Sequence, residues 1–306
     1  MLSRSLIVIK IAFGMIVFEG DYVLEECLQQ IYPFASQILI AEGPVKYWQD
    51  QGRTTSTDLT NQILRNFPDP DDKIKIVHSQ YMEKDEQCNA YIKHIRSDID
   101  YLWNLDSDEL YKTEDLKKTI KFLEDQQPTS VGVRSRSFYG GFDHYLTGFE
   151  LNRDNFLRIF KITEGSKWLT HRPPTIQYPQ SDNIIKKHID SDTFYRLTGV
   201  EMYHYSYVFP KQVKNKIEYY KAKVSRNKCI DDYYNSVYLP WVRSTEVDQY
   251  QLEKKYLGVH EFKPEYRGDC FTAEFTGSHP KTIERNMKKL RNRITLELKE
   301  NENCLV

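Results

Sequence analysis

The chain has 306 residues, enough to bury a sizeable core in one large domain or in one domain plus an extension. Its 43 Lys and Arg against 44 Asp and Glu leave a formal net charge of −1, which excludes a global field recruiting nucleic acid or membrane. Five dispersed cysteines without a CxxC pair exclude a disulfide framework and a cysteine zinc site, and they fit a reducing, cytoplasmic setting.

In chain order, MLSRSLIVIKIAFGMIVF imitates a signal peptide, but Lys10 interrupts the apolar run and no small-residue cleavage site follows. A membrane span takes about 20 apolar residues, so a buried first strand ending near Phe18 is expected instead. DYVLEECLQQIYPF places Val23, Leu24, Cys27, Leu28 and Ile31 at helical spacing, with Asp21 as N-cap. QILIAEG reads as a short buried strand ending at Glu42-Gly43, and STDLTNQILRNF as a helix. KIKIVH is a third strand, a helix follows over about Lys84–Arg96, and YLWNL is a fourth strand running into Asp106, Asp108 and Glu109. A helix with Thr113 at its cap comes next.

This alternation predicts an α/β fold with a parallel sheet covered by helices. Ligands of such sheets bind beyond the carboxyl ends of the strands, which draws attention to Phe18-Glu19, Glu42-Gly43 and Asp106-Ser107-Asp108. From about Ser130 to Val208, runs such as SVGVRSRSFY and FLRIFKIT predict an antiparallel addition to the sheet. After Pro210 the composition turns helical, so an α/β domain over 1–210 and a helical extension over 211–306 are expected. The 22 tyrosines suit either sugar and base stacking or a core and surface bias.

Three acids within four positions repel one another at a strand end unless a cation compensates. Asp106 and Asp108, pointing the same way by strand alternation, suit a hard divalent cation such as Mg2+ or Mn2+. His204, in the aromatic run GVEMYHYSYVF, is either a half-buried structural imidazole or a third ligand that tilts the preference to Mn2+. In KWLTHRPPT, Trp168 can stack on a sugar, His171 can serve as a general base and Arg172 can hold a phosphate; a purely structural loop is the alternative.

With these pieces placed, the sequence resembles family-2-type glycosyltransferases of GT-A fold. The segments carrying the resemblance are FGMIVFEGDYVLEECLQQIYPFASQILIAEG, DYLWNLDSDELY with its DxD motif, and LTGVEMYHYSYVFPKQVKNKIEYY, which is similar to bacterial lipopolysaccharide-core enzymes. The resemblance spans roughly residues 8–225. It implies a Rossmann-like mixed sheet flanked by helices, a nucleoside-diphosphate-sugar donor, and a glycan, lipid-linked or protein acceptor. It further implies that Asp108 binds a metal on the donor diphosphate, that Asp106 holds ribose or metal, and that Glu42 and the Phe18-Glu19 loop face the base. Lys84 and Gln87 are implied to lie beneath the nucleotide. The chain departs from the family at Phe18-Glu19-Gly20, where Tyr-Asn-Glu is common, and at His171-Arg172, where a His-Glu pair is common. The general base is therefore open between His171, Asp143 and Glu150. The rival readings are a metal-dependent nucleotidyltransferase, which lacks its Gly-rich phosphate loop here, and a non-catalytic nucleotide- or sugar-binding module.

The final helix, about Lys281–Lys299, places Ile283, Met287, Leu290, Ile294 and Leu298 opposite Lys281, Arg285, Lys288, Lys289 and Arg291. It is expected to pack by its apolar face, with the basic face either solvated or docked on an anionic membrane, which would make the protein peripheral.

Overall fold

A computed structural model describes residues 8–148, 156–179, 186–223 and 228–303. The chain divides into two compact units, one of residues 1–133 with 155–201, the other of residues 134–154 with 202–306. The composition shift near 210 thus falls inside the second unit, because the second unit also takes the segment 134–154 and a strand upstream of Pro210.

In the first unit the chain alternates β1 (Ile11–Val17), α1 (Leu24–Ile31), β2 (Gln37–Glu42), α2 (Lys46–Gln49), α3 (Thr60–Asn66), β3 (Ile74–His78), α4 (Lys84–Ile92) and β4 (Tyr101–Asp106). The four strands are parallel in the order β3-β2-β1-β4. Every residue of β1 and β2 is buried, which is why both read as continuous apolar runs and not as alternating ones. Asp21 does not cap α1, whose N-cap is Val23; its carboxylate instead accepts the Leu59 N–H at 3.1 Å.

After β4 come β5 (Glu109–Leu110), α5 (Thr113–Gln126) and β6 (Ser130–Tyr139), while β7 (His144–Leu146) belongs to the second unit. Back in the first unit, β8 (Phe156–Lys161) lies antiparallel to both β4 and the start of β6, the predicted antiparallel addition. A separate hairpin of β9 (Lys167–Thr170) and β10 (Thr175–Gln177) follows, then β11 (His188–Ile189), which pairs with β6 at Ser130 and Val131. The mixed α/β sheet flanked by helices agrees with the GT-A arrangement.

In the second unit, β12 (Glu201–Tyr207) pairs with β6, and β7 pairs with β13 (Thr272–Glu274). Its core holds Tyr139, Tyr207, Tyr233, Tyr234 and Tyr238 with Trp241 and Val259. Their hydroxyls find partners: Tyr139 and Tyr233 meet at 3.0 Å, and Tyr238 donates to the Val208 carbonyl at 3.1 Å. Much of the tyrosine excess is thus core, with the polar tips of Tyr139, Tyr207, Tyr233 and Tyr238 satisfied. The final helix, Lys281–Asn303, buries Ile283, Leu290 and Ile294 and exposes Lys281, Arg285, Lys288 and Lys289, as its periodicity predicts. Arg291, also exposed, forms a paired contact with Asp143, both bonds 2.7 Å. Among the described residues no helix is long and apolar enough to cross a membrane.

One backbone constraint sits at the functional edge. Gly43, directly after β2, has φ of +141°, and a Cβ there would lie 1.7 Å from the Ser79 carbonyl oxygen. Only glycine lets the chain leaving β2 run against the chain leaving β3. Gly43→Ala is therefore expected to lower unfolding free energy by about 2–4 kcal/mol, read by denaturant titration. A change within about 0.5 kcal/mol would contradict this reading.

Candidate functional site

The pairing registers bring the strand ends together. Val17 lies opposite Glu42, Glu42 opposite His78, and Ile16 opposite Asp106, so β1 to β4 all finish on one edge. The three strand ends expected from sequence share that edge, and His78 adds a fourth. Gly20 helps close the group: a Cβ there would lie 2.7 Å from Ser107 Oγ, so the turn after β4 packs tightly on the loop after β1.

At the end of β4 the chain turns. Ser107 and Asp108 form that turn, so strand alternation does not align Asp108 with Asp106. The third acid is accounted for differently from the expectation. Glu109 is fully buried and its carboxylate takes a paired contact from Arg158, with Nε 2.8 Å from Oε2. The same Oε2 accepts the Asp106 N–H at 3.1 Å. Arg158 Nη2 also lies 3.8 Å from Asp106 Oδ2. The compensating cation for one acid is thus an arginine from β8, which local spacing in the sequence could not reveal.

Asp106 keeps 28% of its side chain exposed. Burial works to raise its pKa, but surrounding positive charge, led by Arg158, outweighs burial and holds the carboxyl well below the usual range. Asp106 and the half-buried Asp108 are hard oxygen donors and fit a Mg2+ or Mn2+ ion. Among the described residues no three His, Cys, Asp or Glu groups are set to hold an ion. Two carboxylates would then leave most of the coordination shell to ligand oxygens.

The hairpin tip carries His171 and the exposed Arg172, and α4 anchors it. The His171 N–H donates to Asp85 Oδ1, its Nδ1 lies 3.7 Å from Cys88 Sγ, and Asn89 exchanges hydrogen bonds with the Trp168 backbone at 2.9 and 3.0 Å. Burial first, then the Lys84 charge, pushes the His171 pKa down to about 3, against the opposing pull of Asp106. Such weak basicity is a poor match for taking a hydroxyl proton at neutral pH. Trp168 does not offer a stacking face: it is buried and meets Phe160 edge-on at 5.4 Å, because alternation along β9 turns it into the core and turns Leu169 outward. Gln87 is also buried, its amide donating to the Ala41 and Gly43 carbonyls at 3.0 and 3.1 Å. It shapes the β2 exit and does not present itself to a ligand.

The loops after β1 and β2 are bound to each other. Glu19, at φ 47°, receives Arg53 and, at 2.9 Å, Thr57 on its carboxylate, while its own N–H donates to Ser56 Oγ at 3.0 Å. The Gly20 N–H donates to Thr60 Oγ1 at 2.9 Å. Arg53 lies over the Trp48 ring at 4.1 Å and the half-buried Phe18 ring at 5.3 Å. Glu42 accepts from Ser56 Oγ at 2.6 Å and meets His78 Nδ1 at 3.0 Å. Arg53, Ser56, Thr57 and His78 are absent from the residues expected from sequence; the polar stretch GRTTSTD between α2 and α3 was the one visible sign of the first three, and His78 was seen only as the end of a strand.

His204 lies in the second unit, buried, with Nδ1 3.4 Å from Ser137 Oγ. Asp143 is taken up by Arg291, whose hydrogen bonds lower its pKa, and is no longer suited to act as a base. Glu150 lies outside the described residues.

Residues 54–176 match the family described as Glycosyl transferase family 2. The resemblance read from sequence therefore stands over the segment that holds α3 to β10. No curated protein matches the chain. Among solved structures, S. aureus TarS 1-349 in complex with UDP-GlcNAc is 15% identical over 44% of this chain and 36% of that chain, with a TM-score of 0.33. The same protein with UDP is 16% identical over 44% and 38%, TM-score 0.33. The 4-diphosphocytidyl-2C-methyl-D-erythritolsynthase of Anaerococcus prevotii DSM 20548 is 15% identical over 57% and 70%, TM-score 0.31. The chain spans little more than a third of the TarS 1-349 chains it matches.

The neutral state of His171 is testable through stability. Its folded pKa of about 3 lies below the ordinary value of 6.5, so between these pH values the unfolded chain binds a proton that the folded chain refuses. Its contribution is complete above pH 6.5 and is lost as pH falls towards 3, at about 1.4 kcal/mol per pH unit. Denaturant unfolding from pH 7 to 4 should show wild type losing stability more steeply than His171→Gln. Parallel curves would mean that His171 takes up its proton equally readily in the folded and the unfolded chain, and would contradict its depressed basicity.

Proposed function

We propose that the protein is a glycosyltransferase that moves a sugar from a nucleoside-diphosphate sugar to an acceptor hydroxyl at the carboxyl edge of the parallel sheet. The observation that carries this reading is the ionised Asp106 beside Asp108, on the edge shared by all four parallel strands and within the segment matching the family. A carboxylate stays ionised there because cationic side chains surround it, and those same cations suit a diphosphate.

In this reading the loops after β1 and β2 wall the nucleoside, with Phe18, Glu19 and Glu42 acting through the contacts that bind the two loops. Asp106 and Asp108 would hold a Mn2+ or Mg2+ ion. Such an ion, when bound, polarises the diphosphate oxygens as a Lewis acid. Lys84 and Arg172 face the charge that develops on the departing diphosphate, where preorganised positive groups lower the barrier most. The acceptor oxygen bonds to the anomeric carbon on the face opposite the diphosphate as the bond to the diphosphate oxygen breaks, so configuration inverts, and the hydroxyl proton passes to solvent. His171 acts as a positioning residue that fixes the hairpin tip on α4 and so places Arg172.

The exposed basic face of Lys281, Arg285, Lys288 and Lys289 is assigned to contact with an anionic surface that carries the acceptor. Flotation with anionic vesicles at low salt should retain the protein, and charge reversal at Lys288 and Lys289 should release it. No flotation of wild type would remove the membrane from the proposal.

Asp108→Asn keeps the shape of the turn and removes one charge. Its unfolding free energy should stay within about 0.5 kcal/mol of wild type, while Mn2+-dependent turnover of nucleotide sugars falls roughly 10²–10³-fold. Unchanged metal dependence in Asp108→Asn would refute the assignment of the ion to this turn.

A further inference from the structure

We propose that His78 selects the nucleobase of the donor and that it favours bases presenting a ring N–H, uracil or guanine, over cytosine and adenine. The inference rests on the nucleotide-sugar reading above and deepens it.

Both carboxylates that sequence assigned to the base are already engaged by protein groups. Glu19, with a side chain 6% exposed, is filled by Arg53 and Thr57. Glu42, 5% exposed, accepts from Ser56 Oγ at 2.6 Å on Oε1 and meets His78 Nδ1 at 3.0 Å on Oε2. Buried and satisfied in this way, neither carboxylate has an open face for a ligand. His78 differs: it ends β3 beside Glu42 on the ligand-side edge, and 53% of its side chain is exposed.

The contact with Glu42 also sets the chemistry of the exposed part of the ring. A carboxylate oxygen can only accept, so the proton of the imidazole sits on Nδ1. In the neutral ring Nε2, on the far side from Glu42, is then a hydrogen-bond acceptor. Ser56 strengthens this arrangement by holding the other Glu42 oxygen, so the carboxylate cannot turn away from His78. An acceptor at this position pairs with uracil N3–H or guanine N1–H. Cytosine N3 and adenine N1 offer lone pairs there, and two facing lone pairs repel. Uracil and cytosine have nearly the same outline, so the polarity of one hydrogen bond separates them, a kind of discrimination that polar sites achieve well.

Calorimetric titration at pH 8 with Mn2+ present, using UDP, CDP, GDP and ADP, tests this directly. Wild type should bind UDP over CDP, or GDP over ADP, by about tenfold or more. His78→Ala should bring the members of the preferred pair to within about threefold by weakening the N–H-bearing nucleotide. His78→Lys, a donor with no acceptor, should reverse the preference. A ratio that survives in His78→Ala, or a wild-type preference for CDP or ADP, overturns the assignment of His78 while leaving the donor reading intact. Failure of all four nucleotides to bind wild type overturns the donor reading itself.

Discussion

The geometry of the candidate site depends on one buried ion pair. Glu109 sits inside the first unit without exposure, and an unpaired carboxylate there would cost several kcal/mol. Arg158 neutralises it from β8, a strand that reaches β4 only through antiparallel pairing. Glu109 then has an oxygen to accept the Asp106 N–H, which closes the turn at Ser107-Asp108. That closed turn carries Asp108 at its tip and leaves Asp106 partly open. The same guanidinium, 3.8 Å from Asp106, keeps it charged. A pair of this kind contributes little net stability against an apolar replacement, so its value lies in the shape and charge it imposes on the strand end.

The opposite wall is organised by the Arg53–Glu19 ion pair and by hydrogen bonds that end largely on carboxylates. Ser56, Thr57 and Thr60 reach across to Glu19 and Gly20, and the Asp21 N–H meets Asp58 Oδ2 at 3.2 Å while Leu59 N–H returns the contact to Asp21. Two loops from different strand ends thereby behave as one rim. A rim fixed before the ligand arrives loses less conformational freedom on binding, which favours affinity for a ligand that fits it. Glu19 accepts a left-handed backbone as part of this arrangement, and the contacts on its N–H and carboxylate are what hold it there.

The sheet was legible because β1, β2 and β4 are buried on both faces and read as apolar runs bounded by charge and glycine. The placement of Asp106 at a ligand edge follows from strand order and the general behaviour of parallel sheets. The final helix was legible from Ile283, Leu290 and Ile294 at helical spacing. What local pattern could not supply is pairing across distance. Nothing around position 109 points to Arg158, and nothing around position 42 points to Ser56 or His78. Trp168 misled for the same reason: aromatic character suggests stacking, whereas the phase of β9 decides which way the ring faces. His171 looked suited to base catalysis by residue type, and only burial beside Lys84 shows that its basicity is depressed. The unit boundary at 133–134 falls within a continuous strand, where composition carries no mark.

In the proposed reading, the carboxyl edge of β1 to β4 binds a nucleoside diphosphate through an ion held by Asp106 and Asp108. Anomalous diffraction from a crystal grown with Mn2+ and a nucleoside diphosphate measures this most directly. A manganese peak is expected within coordinating distance of Asp106 and Asp108 carboxylate oxygens, with diphosphate oxygens beside it and the base lying between Phe18 and His78. A nucleotide bound elsewhere on the molecule, or a manganese peak away from both carboxylates, would contradict it.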